Sequence, residues 1–321
     1  MRLAKWPKGG TPPGIYILML LLSTPAYAND MLQVSGCVKG SLLLERRLEK
    51  EFVADDFHIF YSMDSKDALI YLRHSNGDGV PDTIKDIAVQ LQAAKYLYSS
   101  VLGLQFPLQQ KIFSRARQIN VYLLTLPKGN GLAFDRVASE TMSDGKQIPC
   151  GLKIVLNAAL KPAQNITPAH ELFHLYQYGY AVFKQQWYLE GMARWMEDVF
   201  KPGEKRTKKL TVLPTCESQY SRGYGAANYW ASYAQSAFNP KWIGEMQQKY
   251  HYQDGSPVFK INMLPGGGMM RPFFHQLSLT SVKVSQKVNL ANTRWPEKSQ
   301  RAPQFNSVIC QALQGTDSET K

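Results

Sequence analysis

Between residues 82 and 102 (DTIKDIAVQLQAAKYLYSSVL), Ile84, Ile87, Ala88, Leu91, Ala94, Leu97 and Tyr98 recur every three or four positions. That spacing predicts a helix, which Gly103 ends. Elsewhere the apolar runs are short, aromatic and β-branched, and predict strands at 57–63 (FHIFYSM), 118–125 (QINVYLLT) and 152–157 (LKIVLN). Helical periodicity returns at about 166–180 and 188–200, and again near 225–237 and 240–250. Residues 29 to about 50 read as a helical or irregular lead-in. Beyond Gly255 three glycines at 266–268 break the chain, 277–290 alternates weakly as a strand or hairpin would, and the last 25 or so residues read as a disordered tail. Strands followed by helices, without regular alternation, predict an α+β domain: a small mixed sheet, then a mainly helical part. The predicted division is a main domain at 29–255 and a β or irregular extension at 256–321.

The first 28 residues stand apart. Arg2, Lys5 and Lys8 precede an apolar run at 15–22, and Ala26-Tyr27-Ala28 has the small-x-small form of a cleavage site. An apolar run of about eight residues falls well short of the ~20 that span a bilayer. A cleavable export leader is therefore expected, leaving no stable membrane anchor and placing the mature chain in the periplasm or the medium. The formal charge of +12 includes those three leader cations, so about +9 remains. The cations are scattered and no basic stripe interleaves with aromatics, so nucleic acid is not an expected partner. The densest cluster, 201–209 (KPGEKRTKK), holds Pro202, Gly203 and Glu204 and reads as a solvated loop. Attraction to an acidic surface or polymer is its alternative reading.

Cys37, Cys150, Cys216 and Cys310 make an even count in an exported chain, and no spacing among them suits a metal. Two disulfides are expected. Three pairings are open, of which Cys150 with Cys216 and Cys37 with Cys310 is favoured.

Candidate chemistry concentrates in His170-Glu171-Leu172-Phe173-His174. Thr167 is the expected N-cap and Pro168 the first helical residue. Side chains four apart stack on one helix face, so His170 and His174 can grip one ion, and Glu171 can reach a metal-bound water as general base. Zinc would lower the pKa of that water towards ~7. A catalytic zinc needs a third protein ligand. Glu190 is the candidate, in a mainly apolar stretch (WYLEGMARWMED, 187–198) where a carboxylate is costly to bury without a cation.

H-E-x-x-H followed by E-G-x-A resembles the gluzincins, the zinc metallopeptidase class that includes thermolysin and the membrane-alanyl aminopeptidases. The chain is more closely similar to a family of secreted bacterial metallopeptidases with N-G-x-G-V-P-D, A-H-E-x-F-H-x-x-Q-x-G-Y and W-x-x-E-G-x-A-x-W-x-E-D motifs. Here these are 76–82, 169–180 and 187–198, in that order. The resemblance covers roughly residues 55–240. It implies a zincin-like fold, one Zn2+ held by His170, His174 and Glu190, Glu171 as the base, and a protein or peptide substrate. One departure stands out. Where thermolysin-like enzymes carry an acidic residue four positions after the ligand Glu, this chain has Arg194, so support for a ligand histidine is expected from Glu197 or Asp198.

An oxyanion donor is also expected, and Tyr224, in a glycine-rich turn, is the candidate. The loop Asn76-Gly77-Asp78-Gly79 with Asp82 resembles part of a calcium-binding loop, although His74 and Lys85 fall at ligand positions that want oxygens. Its other reading is a tight turn in which Asp82 caps the following helix. A binding protein that keeps the scaffold without turnover, recognising an extracellular protein or a cell-wall component, is the second functional expectation. Retention of Glu171 argues against it.

Overall fold

The computed structural model describes residues 36–290 and 295–316. The predicted leader at 1–28 and residues 317–321 of the predicted tail lie outside the described residues.

The frame is a six-stranded mixed sheet in the order β1-β5-β6-β4-β3-β2. Its strands are β1 (Val38–Lys39), β2 (Lys50–Ala54), β3 (Phe57–Tyr61), β4 (Ile119–Leu124), β5 (Gly131–Thr141) and β6 (Gln147–Asn157). β3, β4 and β6 run parallel, while β2 pairs antiparallel with β3 and β5 antiparallel with β6. Side chains of successive strand residues point to opposite faces. Ile119, Val121 and Leu123 of β4 accordingly join Leu152, Ile154 and Leu156 of β6 in the main core shared with the helices. Tyr122, Leu124 and Val155 pack on the other face with Leu43 and Leu48. Both faces are covered, which is why 118–125 reads as an almost continuous apolar run.

Helix α1 (Asp82–Lys95) continues into a π-helical turn at Tyr96–Val101, and Gly103, at φ 70°, ends it as the periodicity predicted. Helix α2 (Thr167–Tyr180) lies beside it. Gln90 of α1 binds the entry to α2 with both ends of its buried amide: Nε2 donates to the Pro162 and Asn165 carbonyls, and Oε1 accepts from the Ala169 amide. Tyr98 donates to the Ala169 carbonyl at 3.1 Å. An unpaired buried amide costs about 1–3 kcal/mol, so this saturated side chain fixes where α2 begins. Helices α3 (Gln186–Met196) and α4 (Ala227–Ala237) follow, joined by parallel indoles of Trp187 and Trp230 with centroids 5.1 Å apart.

Several expectations are corrected here. The stretch 277–290, expected as a strand or hairpin, belongs to helix α5 (Met270–Lys287). Its buried positions are Phe273, Phe274, Leu277, Ser281 and Ser285, spaced as a helix requires. The last two are polar, so the apolar period fades where the helix packs closely; Ser281 Oγ accepts the Val182 amide. The expected disordered tail instead holds α6 (Glu297–Gln300) and α7 (Phe305–Thr316), whose Phe305, Ile309, Cys310, Ala312 and Leu313 are buried. The segment 240–250 contains strand β7 (Lys241–Trp242), paired with β8 (Met263–Leu264), and a 3-10 turn rather than a helix. The lead-in carries β1 and the start of β2, and β5 had no counterpart in the sequence reading.

The disulfides are Cys37–Cys150 and Cys216–Cys310, not the favoured pairing. β1 lies on β5, next to β6, which brings Cys37 to Cys150. Cys310 sits on α7, which packs on the 3-10 turn directly after Cys216. Each bond joins neighbours in the fold rather than tying the termini together. Two disulfides fit an oxidising, exported environment. No helix among the described residues is long and apolar enough to cross a membrane.

Candidate metal centre

Helix α2 starts at Thr167, with Ile166 as N-cap and Pro168 in the first turn. Thr167 is thus one residue inside the position expected for it, and its own amide is taken by Asn165 Oδ1 at 2.9 Å. His170 and His174 stack one turn apart and are 5 % and 4 % exposed. Their Nε2 atoms are 3.1 Å apart. Glu190, on the second turn of α3, places Oε2 3.2 Å from His170 Nε2 and 3.6 Å from His174 Nε2. The three predicted ligands therefore meet, and theirs is the only group of at least three metal-suited side chains found among the described residues.

The outward ring nitrogens are held from behind. His170 Nδ1 lies 2.8 Å from Glu197 Oε1, and His174 Nδ1 lies 2.8 Å from Gln177 Oε1. The Gln177 amide cannot be reversed without loss, because its Nε2 donates to the Tyr188 and Leu189 carbonyls of α3. Gln177 therefore accepts the His174 Nδ1 proton, and Glu197 does the same for His170. Both Nε2 lone pairs are then left facing each other and a carboxylate. Three acceptors converging in a buried site repel unless a cation lies among them. With ligand bonds of about 2.0–2.2 Å, the edges of a tetrahedral zinc site are about 3.3–3.6 Å, close to the spacings seen here.

Without a metal, protons must serve instead. Burial works against a charged His170, but the carboxylates of Glu190 and Glu197 outweigh it and push its pKa up to about 10. Burial likewise opposes ionisation of Glu190, and the two imidazoles overcome it, holding that carboxyl well below the usual range.

Of the two acidic candidates for histidine support, Glu197 takes the role. Its other oxygen receives Arg194 Nη1 at 3.0 Å and the buried Lys201 ammonium. Arg194, the departure from the thermolysin-like pattern, thus acts through Glu197. Asp198 is engaged elsewhere, by the amide and hydroxyl of Thr207.

The Glu171 side chain lies against Gly131 of β5. A Cβ on Gly131 would lie 2.7 Å from Glu171 Cγ, so the strand can come this close only through a glycine. Burial raises the pKa of Glu171, against the pull of the two nearby imidazoles. Tyr224 sits in a 3-10 turn (Gly223–Ala226), 57 % exposed, its ring 5.9 Å from that of His170; burial and the nearby Glu190 carboxylate push its hydroxyl above the usual range. Gly191 admits that turn: a Cβ there would meet Ala226 Cβ at 2.8 Å.

Two supporting residues were missed in the sequence. Gln177 carried a legible signal, a polar side chain one turn beyond His174 on an otherwise apolar helix. Lys201 carried none, since it opens the stretch read as a solvated loop.

The loop at 76–82 is closed by protein groups. Asp78 Oδ1 accepts the Val80 amide at 3.0 Å and the Lys85 ammonium at 2.7 Å. Asp82 accepts the amide and hydroxyl of Ser75, at 2.9 and 2.6 Å. The N-cap of α1 is Pro81, so Asp82 reaches back to the turn rather than capping the helix. The turn reading accounts for the glycines at positive φ, 68° for Gly77 and 78° for Gly79.

No family model matches this chain, and neither a curated protein nor a solved structure does.

Proposed function

We propose that this chain is an exported zinc-dependent peptidase of zincin-like fold. The observation that carries the reading is the meeting of His170 Nε2, His174 Nε2 and Glu190 Oε2 within 3.6 Å beside a buried carboxylate, Glu171, that belongs to none of the three contacts. A purely structural metal site has no use for that extra carboxylate. The nitrogen and oxygen donor set suits zinc, which when bound supplies Lewis acidity and lowers the pKa of water.

The chain's own groups complete the chemistry. Glu171 takes a proton from the attacking water and returns it to the departing amine. The low-dielectric surroundings that raise its pKa favour this shuttle. Tyr224, more than half exposed with its ring beside that of His170, donates its hydroxyl to the oxygen on which negative charge develops. Glu197 and Gln177 hold the two imidazoles so that Nε2 stays available, and Arg194 and Lys201 keep Glu197 ionised.

The test is to measure zinc per chain and the cleavage of casein and a mixed peptide library, for the wild type and Glu171→Gln. The peptidase reading expects metal retained in the variant and cleavage reduced at least ~100-fold. Stoichiometric metal with no cleavage by the wild type would favour a binding protein on the same scaffold.

A further inference from the structure

Most of the cationic stretch 201–209 is exposed, as a solvated loop would be, but Lys201 is buried. Lys201 and Lys205, with Arg194 and Lys260, line a cleft of about 710 Å³ whose one acidic wall residue is Glu197. Glu197 is already committed to His170. Arg194 and Lys201 share that carboxylate. This leaves Lys205 and Lys260 outside any ion pair among the described residues, Lys260 Nζ donating to the Pro257 carbonyl with Asp254 nearby as a partial offset. The volume is that of a small-ligand pocket.

The cleft adjoins the metal centre. Thr167, on its wall, lies one helical turn before Glu171, and Arg194 one turn after Glu190. Four helical residues rise about 6 Å, close to the roughly 6.6 Å between neighbouring same-side residues of an extended peptide. The backbone amides at the start of α2 are not available as anion ligands. Asn165 holds that of Thr167 and Gln90 that of Ala169. Recognition there falls to side chains. Lys260 is fixed in place through its backbone, whose amide bonds the Val199 carbonyl at 2.7 Å.

We infer that this cleft binds a carboxylate of the substrate one or two residues from the bond that is cut. The carboxylate is supplied by an acidic side chain or by the peptide's own C-terminus. The word substrate rests on the peptidase reading; the anion site rests on the cleft alone.

The test uses rhodamine-labelled hexapeptide pools, identical except for Glu or Gln at one position, each with a free or an amidated C-terminus. Their dissociation constants are measured on the Glu171→Gln protein. At least one carboxylate, side-chain or terminal, is expected to tighten binding about tenfold over its neutral counterpart, and which one it is identifies the source. The advantage should vanish in Lys205→Met with Lys260→Met and shrink at high salt. Neither lysine touches the histidines or their supports, so the melting curve should be preserved. Equal affinity for charged and neutral pools, or a preference that survives the double variant, overturns the inference. Cleavage of the same pools by the wild type reads the other proposal separately. Charge-selective binding without cleavage defeats the peptidase reading while upholding the anion site.

Discussion

Glu197 Oε1 lies 2.8 Å from His170 Nδ1, and the opposite oxygen of the same carboxylate takes both Arg194 and Lys201. One side chain therefore sets the tautomer of a candidate ligand and neutralises a buried lysine. Replacing it with Glu197→Gln keeps an acceptor but removes the charge. Zinc affinity, measured by competition with a chromogenic chelator, should fall about 10- to 100-fold. Stability should also fall, by about 3 kcal/mol in urea unfolding, because Lys201 is left buried without its partner. Restoration of stability but not of zinc affinity in Glu197→Gln with Lys201→Met would separate the two roles.

Gln177 does the equivalent work for His174. Gln177→Leu strands the buried His174 Nδ1 proton and removes the second hydrogen bond of the Tyr188 and Leu189 carbonyls. A loss of about 2–3 kcal/mol in unfolding free energy is expected, together with weaker zinc binding. Unchanged affinity would mean that His174 is oriented by packing alone.

How much of this was legible in the sequence depended on whether side-chain chemistry and periodicity agreed. Helix α2 and its two candidate ligands were legible because the His spacing, Pro168 and the apolar face all indicate one element, and Glu190 on α3 was legible as a carboxylate in an apolar stretch. β5 was not, since its run GLAFDRVASET is only partly buried and its register shifts between Phe134 and Glu140. Bulges of that kind interrupt the alternation on which strand reading depends. In α5, Ser281 and Ser285 occupy core positions, so the helix hid behind its own small residues. The disulfide pairing depended on strand order for Cys37–Cys150 and on where α7 docks for Cys216–Cys310, neither of which a local pattern encodes.

Asp86 offers a pH test independent of any metal. Burial raises its pKa to about 6, with Asp254 and Asp82 adding to the shift against a hydrogen bond from the Gln253 amide. A carboxyl with a folded pKa above its unfolded value costs stability when ionised in both states. That cost is fully present above pH 6 and disappears as pH falls towards the unfolded value near 4. Asp86→Asn, which keeps an acceptor for Gln253, should raise the melting temperature at pH 7.5 and leave it unchanged at pH 4. A gain that is equal at both values would contradict the assignment.

The Cys216–Cys310 bond closes a loop of 94 residues around the C-terminal helices. In the chain-entropy picture such a loop is worth about 4–5 kcal/mol. The double variant Cys216→Ala with Cys310→Ala should lose about that much, with hydrogen exchange rising first in α7. If α7 keeps its protection, packing of Phe305, Ile309 and Leu313 is sufficient to hold it.

Coordination by His170, His174 and Glu190 underlies the whole functional reading, and zinc-edge X-ray absorption on the purified mature protein measures it most directly. One zinc per chain is predicted, bound to two imidazole nitrogens and carboxylate or water oxygen at about 2.0–2.2 Å, with the imidazole signal halved in His174→Ala. A protein that takes up no stoichiometric zinc, or a spectrum unaffected by His174→Ala, would contradict the account.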